Sequence, residues 1–452
     1  MYPKLHSNDS SINPIGRPIT DNEDSLLGSL VTIGAMFGPF PFSFIAGKFG
    51  RKIGLLCVAI PHIISYITMA FAKNIYLFFF GRVFGGLALG GGYSLLPMYI
   101  AEISRDSNRG TMSLTLTVFW AIGNFIPYAI GPYLSVMWFN IILAFIPIAF
   151  FIIFTSIGTE TPYYLVEAHK TDQAETSLMK LRNAEKDGIQ KELESIKAHL
   201  KSDEDGHLSD ILKRSELRKA LIICVILVVS QELSGFCSIT FYMQPIFEAA
   251  GTNLSADTSA LIVGVGMLVS SFISPFLADR LGRRILLVVS CSGMCIALFL
   301  LGTFFYILDS TDFSTDPINW LPIFSLLLFI FSFNFGLCTV PWTLCSELFP
   351  NNVKGIAASI QTSTCWLSSF IITFSFNHMN AGMGRAGSFW FFSASSLAST
   401  IFCVIFVPET KGKSFSEIQD MLRYGSRKMS LISNGNPEMK ASNVWSTENS
   451  VK

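Results

Sequence analysis

Long apolar runs separated by short polar gaps organise the whole chain. Runs of roughly 20 residues, enough to cross about 30 Å of hydrocarbon as a helix, occupy 25–46, 53–72, 76–100, 112–134 and 137–158. A polar segment over 159–218 interrupts them, and six more runs follow at 219–248, 256–278, 285–307, 319–346, 353–378 and 387–407. The pattern predicts an all-α polytopic membrane protein. Its expected parts are an outer segment (1–24), an N-terminal half of five spans (25–158), a linker (159–218), a C-terminal half of six spans (219–407) and a polar tail (408–452). Residues 1–24 contain no apolar core of the signal-peptide kind. In the linker, Ile189, Leu193, Ile196 and Leu200 recur at helical spacing, which predicts short amphipathic helices beneath the bundle. The segment is expected to be too short to bury a core of its own.

Basic residues give the orientation. If the spans alternate, Lys48, Arg51, Lys52, Arg105, Arg109, Arg280, Arg283, Arg284, Lys354, Lys411 and Lys413 share one side with the linker. The other side carries chiefly Lys4, Arg17, Lys73 and Arg385. The positive-inside bias makes the linker side cytoplasmic, with the C-terminus on it and the N-terminus outside. Two glycosylation sequons, at Asn8 and Asn253, then fall outside.

Composition narrows the class. Half of the 452 residues are hydrophobic and only 14% are charged, outside the range of soluble domains. The 32 basic and 32 acidic residues cancel, so nothing points to nucleic acid. All nine cysteines lie in apolar runs, and none shows metal-ligand spacing with histidine. No nucleophile–base set and no phosphate-cradling loop appears, so the expectation is a protein without metal, cofactor or enzymatic activity.

Three echoes link the two sets of spans. Glu102 precedes Arg109 by seven residues at the end of the glycine-dense run that starts at Phe84, and Glu347 precedes Lys354 by the same interval. GKFGRK at 47–52 matches DRLGRR at 279–284, and Glu160 in TETP matches Glu409 in PETKG. Echoes in one order indicate an internal duplication, the construction of many secondary transporters.

These residues carry a resemblance. Phe84, Gly86, Leu87, Gly90, Tyr99, Glu102 and Arg109 fit the sugar-porter signature of the major facilitator superfamily. PWTLCSELFPNNVKG at 341–355, QELSGF at 231–236 and VPETKG at 407–412 also match it. The chain resembles the facilitative glucose and trehalose transporters, nearest the insect trehalose group. The resemblance implies a bundle of two pseudo-symmetric halves with a central sugar site, with eleven of twelve helices present and the family's first span absent. It also leaves Arg82 without the acid that the first span of coupled members supplies. Gly47 replaces an acid of the loop motif, Tyr163 a base, Glu232 and Thr117 glutamines, and Cys237 an asparagine. Met267 and Cys365 stand at further positions expected to be polar.

A sugar presents hydroxyls at its edges and carbon faces between them. Gln231 can donate and accept, and Trp342 can stack on a face while its indole N–H donates. Thr117, Trp366 and Tyr242 complete the expected site with Glu232, a mid-membrane carboxyl that is by default a functional candidate. The resemblance assigns Arg51, Glu102, Arg109, Glu160, Asp279, Arg283, Glu347, Lys354 and Glu409 to a cytoplasmic gate between the halves. The expected function is facilitative transport of a glucose- or trehalose-class sugar across the plasma membrane by alternating access. The partners implied are sugar and bilayer, with the monomer as working unit. The alternatives are a non-transporting relative and a proton-coupled symporter.

Overall fold

The computed structural model describes residues 2–424 except 10–11, 106–108, 203–207, 253, 312, 314 and 414. Among the described residues, nine helices are long and apolar enough to cross a membrane, and Thr115–Ile130 is a shorter apolar one. The last of the nine is double. Asn351–Phe406 runs for 56 residues, but Gly384 has φ 74° and ψ 167°, so two arms meet there without a loop. The expected spans at 353–378 and 387–407 are these arms.

The other spans follow the apolar runs to within a few residues: Arg51–Ala70, Ile75–Ile103, Arg109–Ile130, Val136–Ile157, Ala256–Leu281 and Arg283–Ser310. Three runs are broken instead of continuous. The first forms Asp21–Phe37 and Pro39–Phe49, the run at 219–248 forms Ser215–Leu233, Phe236–Phe241 and Met243–Ala250, and the run at 319–346 forms Leu321–Phe335 and Val340–Leu348.

Two helix sets each bury their own core. Asp21–Phe37 and Arg51–Ala70 pack on Ile75–Ile103, while Arg283–Ser310 packs on Leu321–Phe335 and Asn351–Phe406. The glycine-dense start of the signature run lets backbones touch. A side chain at Gly86 would lie 2.8 Å from the Cα of Gly34, so only two glycines allow this approach. The halves join along two seams, Asp21–Phe37 against Asn351–Phe406 and Arg109–Ile130 against Ala256–Leu281.

Three polar regions are more ordered than their composition suggests. The N-terminal segment begins with a helix, Tyr2–Leu5, and buries Leu5 and Ile19 with Leu27, Met69 and Phe78. The buried Asn13 amide donates to the carbonyls of Leu5, Ser7 and Arg17 at 2.8, 3.0 and 2.7 Å. In the linker, Ile189, Leu193 and Ile196 pack with Tyr164, Leu165, Ala174 and Leu178. The linker helices therefore bury a small core among themselves, contrary to the expectation from length; the side chain of Leu200 lies outside the described residues. Arg182 docks this core on the bundle by donating to the Ile103 carbonyl at 2.8 Å and to Glu192 at 2.7 Å. The tail starts with another helix, Phe415–Tyr424, whose Ile418 and Leu422 join the core of the second half.

Candidate functional site

The breaks in the spans lie beside the polar groups of the candidate site. Ser215–Leu233 ends just before Gly235, which takes φ 79° three residues beyond the buried pair Gln231 and Glu232. Cys365 on the Asn351–Phe406 helix donates to Glu232 Oε1 across 3.4 Å, and Cys237 and Ser369 also face this carboxyl. The second break precedes Val340–Leu348, which carries half-buried Trp342. Gln361 Nε2 donates to the Pro341 carbonyl at 3.0 Å and so fixes the backbone immediately before that tryptophan. Discontinuous helices at mid-membrane are the usual way a transporter frees polar groups for a substrate.

Aromatic rings from both halves wall this cluster. Tyr93 meets Trp366 edge-on at 5.5 Å between centroids. Trp120 stacks on Phe236 at 6.5 Å, and Phe236 on Phe333 at 3.8 Å. Thr117 is half-buried one helical turn before Trp120. Among the described residues, five buried polar atoms here, Gln231 Oε1, Glu232 Oε2, Gln361 Oε1, Trp366 Nε1 and Ser369 Oγ, have no hydrogen-bond partner in the protein. Leaving such atoms unpaired costs about 1–3 kcal/mol each, and acceptors beside an indole donor and a hydroxyl suit a polyhydroxylated ligand.

Tyr242 sits elsewhere, in a seal between the halves at the end bearing the N-terminal segment. Its hydroxyl donates to the Asp24 carbonyl at 3.3 Å and its ring stacks on Phe376 at 5.3 Å. Asn377 Nδ2 donates to Ser25 Oγ at 3.1 Å and Asp24 Oδ2 at 3.3 Å. Tyr128 donates to the Thr240 carbonyl at 2.8 Å. Arg82 has partners too: its Nε donates to the Leu27 carbonyl at 2.9 Å and its guanidinium lies over Phe241. His6 closes the seal from above, 3.6 Å from Asp24 Oδ2. Hydrogen bonding to Asp24 raises the His6 pKa above its ordinary 6.5.

At the linker end, one arrangement occurs twice. In the first half, Glu160 accepts from the Lys52 backbone N–H at 3.1 Å, Arg51 Nε lies 3.2 Å from Glu102, and Thr161 donates to Glu102 Oε2 at 2.5 Å. In the second, Glu409 accepts from the Arg283 backbone N–H at 3.0 Å, Arg283 lies 3.0 Å from Glu347, and Thr410 donates to Glu347 Oε2 at 2.5 Å. Each carboxylate thus caps a helix N-terminus while its neighbouring threonine orients the next acid. Gly50 and Gly282 precede the capped helices at φ 112° and 92°. These pairs join residues within one half. Arg51 also reaches Glu167 at 3.0 Å. Lys354 lies near the Arg283–Glu347 pair. The side chains of Arg109 and Asp279 lie outside the described residues.

Of the two sequon asparagines, Asn8 is exposed and Asn253 lies outside the described residues. Tyr93, Trp120, Gln361, Ser369 and Asn377 are site or seal residues that the sequence reading missed. One signal was available: Gln361, Ser369, Thr373 and Asn377 recur at four residues or multiples of four along this span, the spacing of neighbours on a helix.

Comparison with known proteins converges on one family. The family profile described as "Sugar (and other) transporter" matches residues 5–422. The facilitated trehalose transporter Tret1 of Polypedilum vanderplanki is 34% identical over 423 residues, covering 93% of this chain and 83% of that protein. Tret1 of Anopheles gambiae is 33% identical over 425 residues, and the chain spans about half (53%) of its length. Among solved structures, the xylose transporter XylE from E. coli in a partially occluded inward open conformation superposes with a TM-score of 0.74 at 23% identity, over 91% of this chain and 94% of XylE. A POT family transporter superposes at 0.63 and 14% identity, over 89% and 90%. The duplicated charge frame, the broken spans and these matches have one common reading: the chain is a member of the sugar transporter family, with the helical bundle of the major facilitator superfamily.

Proposed function

We propose that the chain carries a sugar of the glucose or trehalose class across the plasma membrane by facilitated diffusion, alternating between outward and inward access. The observation that carries this reading is the central cluster of unpartnered Gln231, Gln361 and Trp366 atoms, walled by rings from both halves. Trp342 supplies the stacking face and Gln231 and Glu232 the hydroxyl contacts. The sugar named for the insect relatives supports trehalose, and the linker side is cytoplasmic on the positive-inside bias.

The seal around Asp24, Tyr242 and Asn377 holds the outer end shut in this conformation, so uptake requires those bonds to break. Arg51, Glu102, Arg109, Glu160, Asp279, Arg283, Glu347, Lys354 and Glu409 form the cytoplasmic gate that closes when the seal opens. Their pairing inside each half keeps each half rigid as it rocks. Glu102→Gln is expected to bias the bundle inward, read as faster thiol labelling of the inner cavity. Asn8 and Asn253 are the outer glycosylation positions.

The test is counterflow of labelled trehalose and glucose in proteoliposomes of the full chain. Exchange of either sugar, abolished by Trp342→Ala, supports the reading; no exchange of either, with correctly folded protein, favours the non-transporting alternative. Glu232 favours a second reading, a proton-coupled carrier. Sugar-driven acidification of the lumen that disappears in Glu232→Gln would establish coupling, and its absence leaves the uniporter.

A further inference from the structure

At the linker end of the second half, a recess of about 650 Å³ is lined by Arg283, Lys354, Lys411 and Lys413, with Glu347 as the acid among its lining residues. Arg283 and Glu347 offset each other as a salt bridge, with Thr410 also donating to the carboxylate, so the excess charge of the lining comes from Lys354, Lys411 and Lys413. Lys413 directs its ammonium at the Met421 thioether, 3.0 Å away, a weak acceptor. The Asn351–Phe406 helix starts at the rim, where Pro350 provides no side-chain cap, and its positive end adds to the field.

The duplicated frame shows what is special here. In the first half, the residues after Glu160 and Thr161 are Pro162, Tyr163 and Tyr164. Tyr164 is buried, lies under the Arg51 guanidinium at 5.2 Å and donates to the Lys48 carbonyl at 3.0 Å. After Glu409 and Thr410 the matching residues are Lys411, Gly412 and Lys413, all exposed. An aromatic side chain in one half is thus replaced by a lysine pair around a glycine in the other, and the packed corner becomes a basic concavity. Like charges gathered in a concave site focus the field and attract an anion. Several ammonium groups facing one recess suit the oxygens of a phosphate.

We infer that this recess binds a phosphate group, a phosphomonoester or diphosphate, carried either by a lipid headgroup or by a soluble molecule. Naming the face as cytoplasmic rests on the proposed orientation; the binding itself does not depend on transport. The probes are inorganic pyrophosphate, added to the full chain in neutral detergent, and phosphatidylinositol 4-phosphate, included in phosphatidylcholine nanodiscs. Binding is read as a rise in the thermal midpoint with probe concentration. Wild type is expected to respond, and Lys411→Ser/Lys413→Ser to bind roughly twenty-fivefold more weakly, at about fivefold for each lysine. A response to pyrophosphate supports a soluble ligand, and one to the lipid alone a headgroup. No response to either probe, or an unchanged response in the double variant, overturns the site. Neither lysine belongs to the sugar site or gate, so the variant should keep wild-type counterflow. This separates a failure of the recess from a failure of the transport reading.

Discussion

The Thr161 hydroxyl donates to Glu102 Oε2 at 2.5 Å, joining the end of the signature helix to the first turn after the fifth span. Thr410 makes the same bond to Glu347. A hydrogen bond to a charged group contributes about 1.5–3 kcal/mol, and partial exposure of both acids places these near the lower limit. Thr161→Val and Thr410→Val are each expected to lower stability by about 1–2 kcal/mol, measured by denaturation in detergent. The sites lie in different halves, so their effects should add; clear non-additivity would show that the halves are coupled through these corners.

Gly50 and Gly282 occupy positive φ directly before the capped helices. A Cβ on Gly282 would stand 2.7 Å from Glu409 Oε2, and one on Gly50 would stand 2.8 Å from the Glu160 carboxyl carbon. Backbone strain and clash together predict a loss of about 1–3 kcal/mol for either alanine variant. Surface expression and thermal midpoint should both fall, and an unchanged midpoint would remove the cap from the account of stability.

Trp342→Ala should abolish sugar uptake while leaving surface expression intact, because Gln361 holds the preceding carbonyl independently of the indole. Trp342→Phe retains a stacking face without the N–H donor and should keep a reduced rate. Normal flux in the alanine variant would exclude Trp342 from the sugar site.

Tyr242→Phe and Asn377→Ala each remove bonds that hold the seal shut. Both should increase labelling of the central cavity by an impermeant thiol reagent from outside, by several-fold if each bond contributes about 1 kcal/mol. Unchanged labelling would mean that the seal is held by apolar packing alone.

The His6 pKa is raised, first by its hydrogen bond to Asp24 and further by the carboxylates of Asp24, Asp21 and Glu248. A raised pKa in the sealed state means that protonation favours sealing. The contribution is complete below the ordinary pKa of 6.5 and disappears as pH rises through the raised value. Outside labelling should therefore increase with pH over that window in wild type and become flat in His6→Ala. A slope that survives the substitution would assign the effect to another group.

Periodicity revealed the spans because a bilayer demands uninterrupted apolar length, and the charge echoes identified Arg51, Glu102, Arg283 and Glu347 because two copies confirm each other. The N-terminal segment was not legible: Leu5 and Ile19 are isolated apolar residues in a polar stretch, and only their shared burial with Phe78 reveals the cap. Linker length likewise concealed the small core around Leu193, which three short helices build together. The site was half visible. Gln231 and Trp342 stood in motifs, whereas Tyr93 and Trp120 come from spans where aromatic residues are common, and only the approach of the halves gives them a role. The motif spacing puts Tyr242 with the sugar site, whereas the break at Gly235 and the turn at Tyr242 bring its hydroxyl to the Asp24 carbonyl and its ring onto Phe376.

The joint at Gly384 has a mechanical consequence. A straight helix of 56 residues would measure about 84 Å, so the two arms fold back on each other through a single residue, with no spare chain between them. Asn377 stands two helical turns before that joint. A swing that frees Asn377 from Asp24 would find no slack there and is expected to carry the final arm with it. The last two spans are therefore expected to move together as one bent arm, with Asn377 close to its elbow at Gly384.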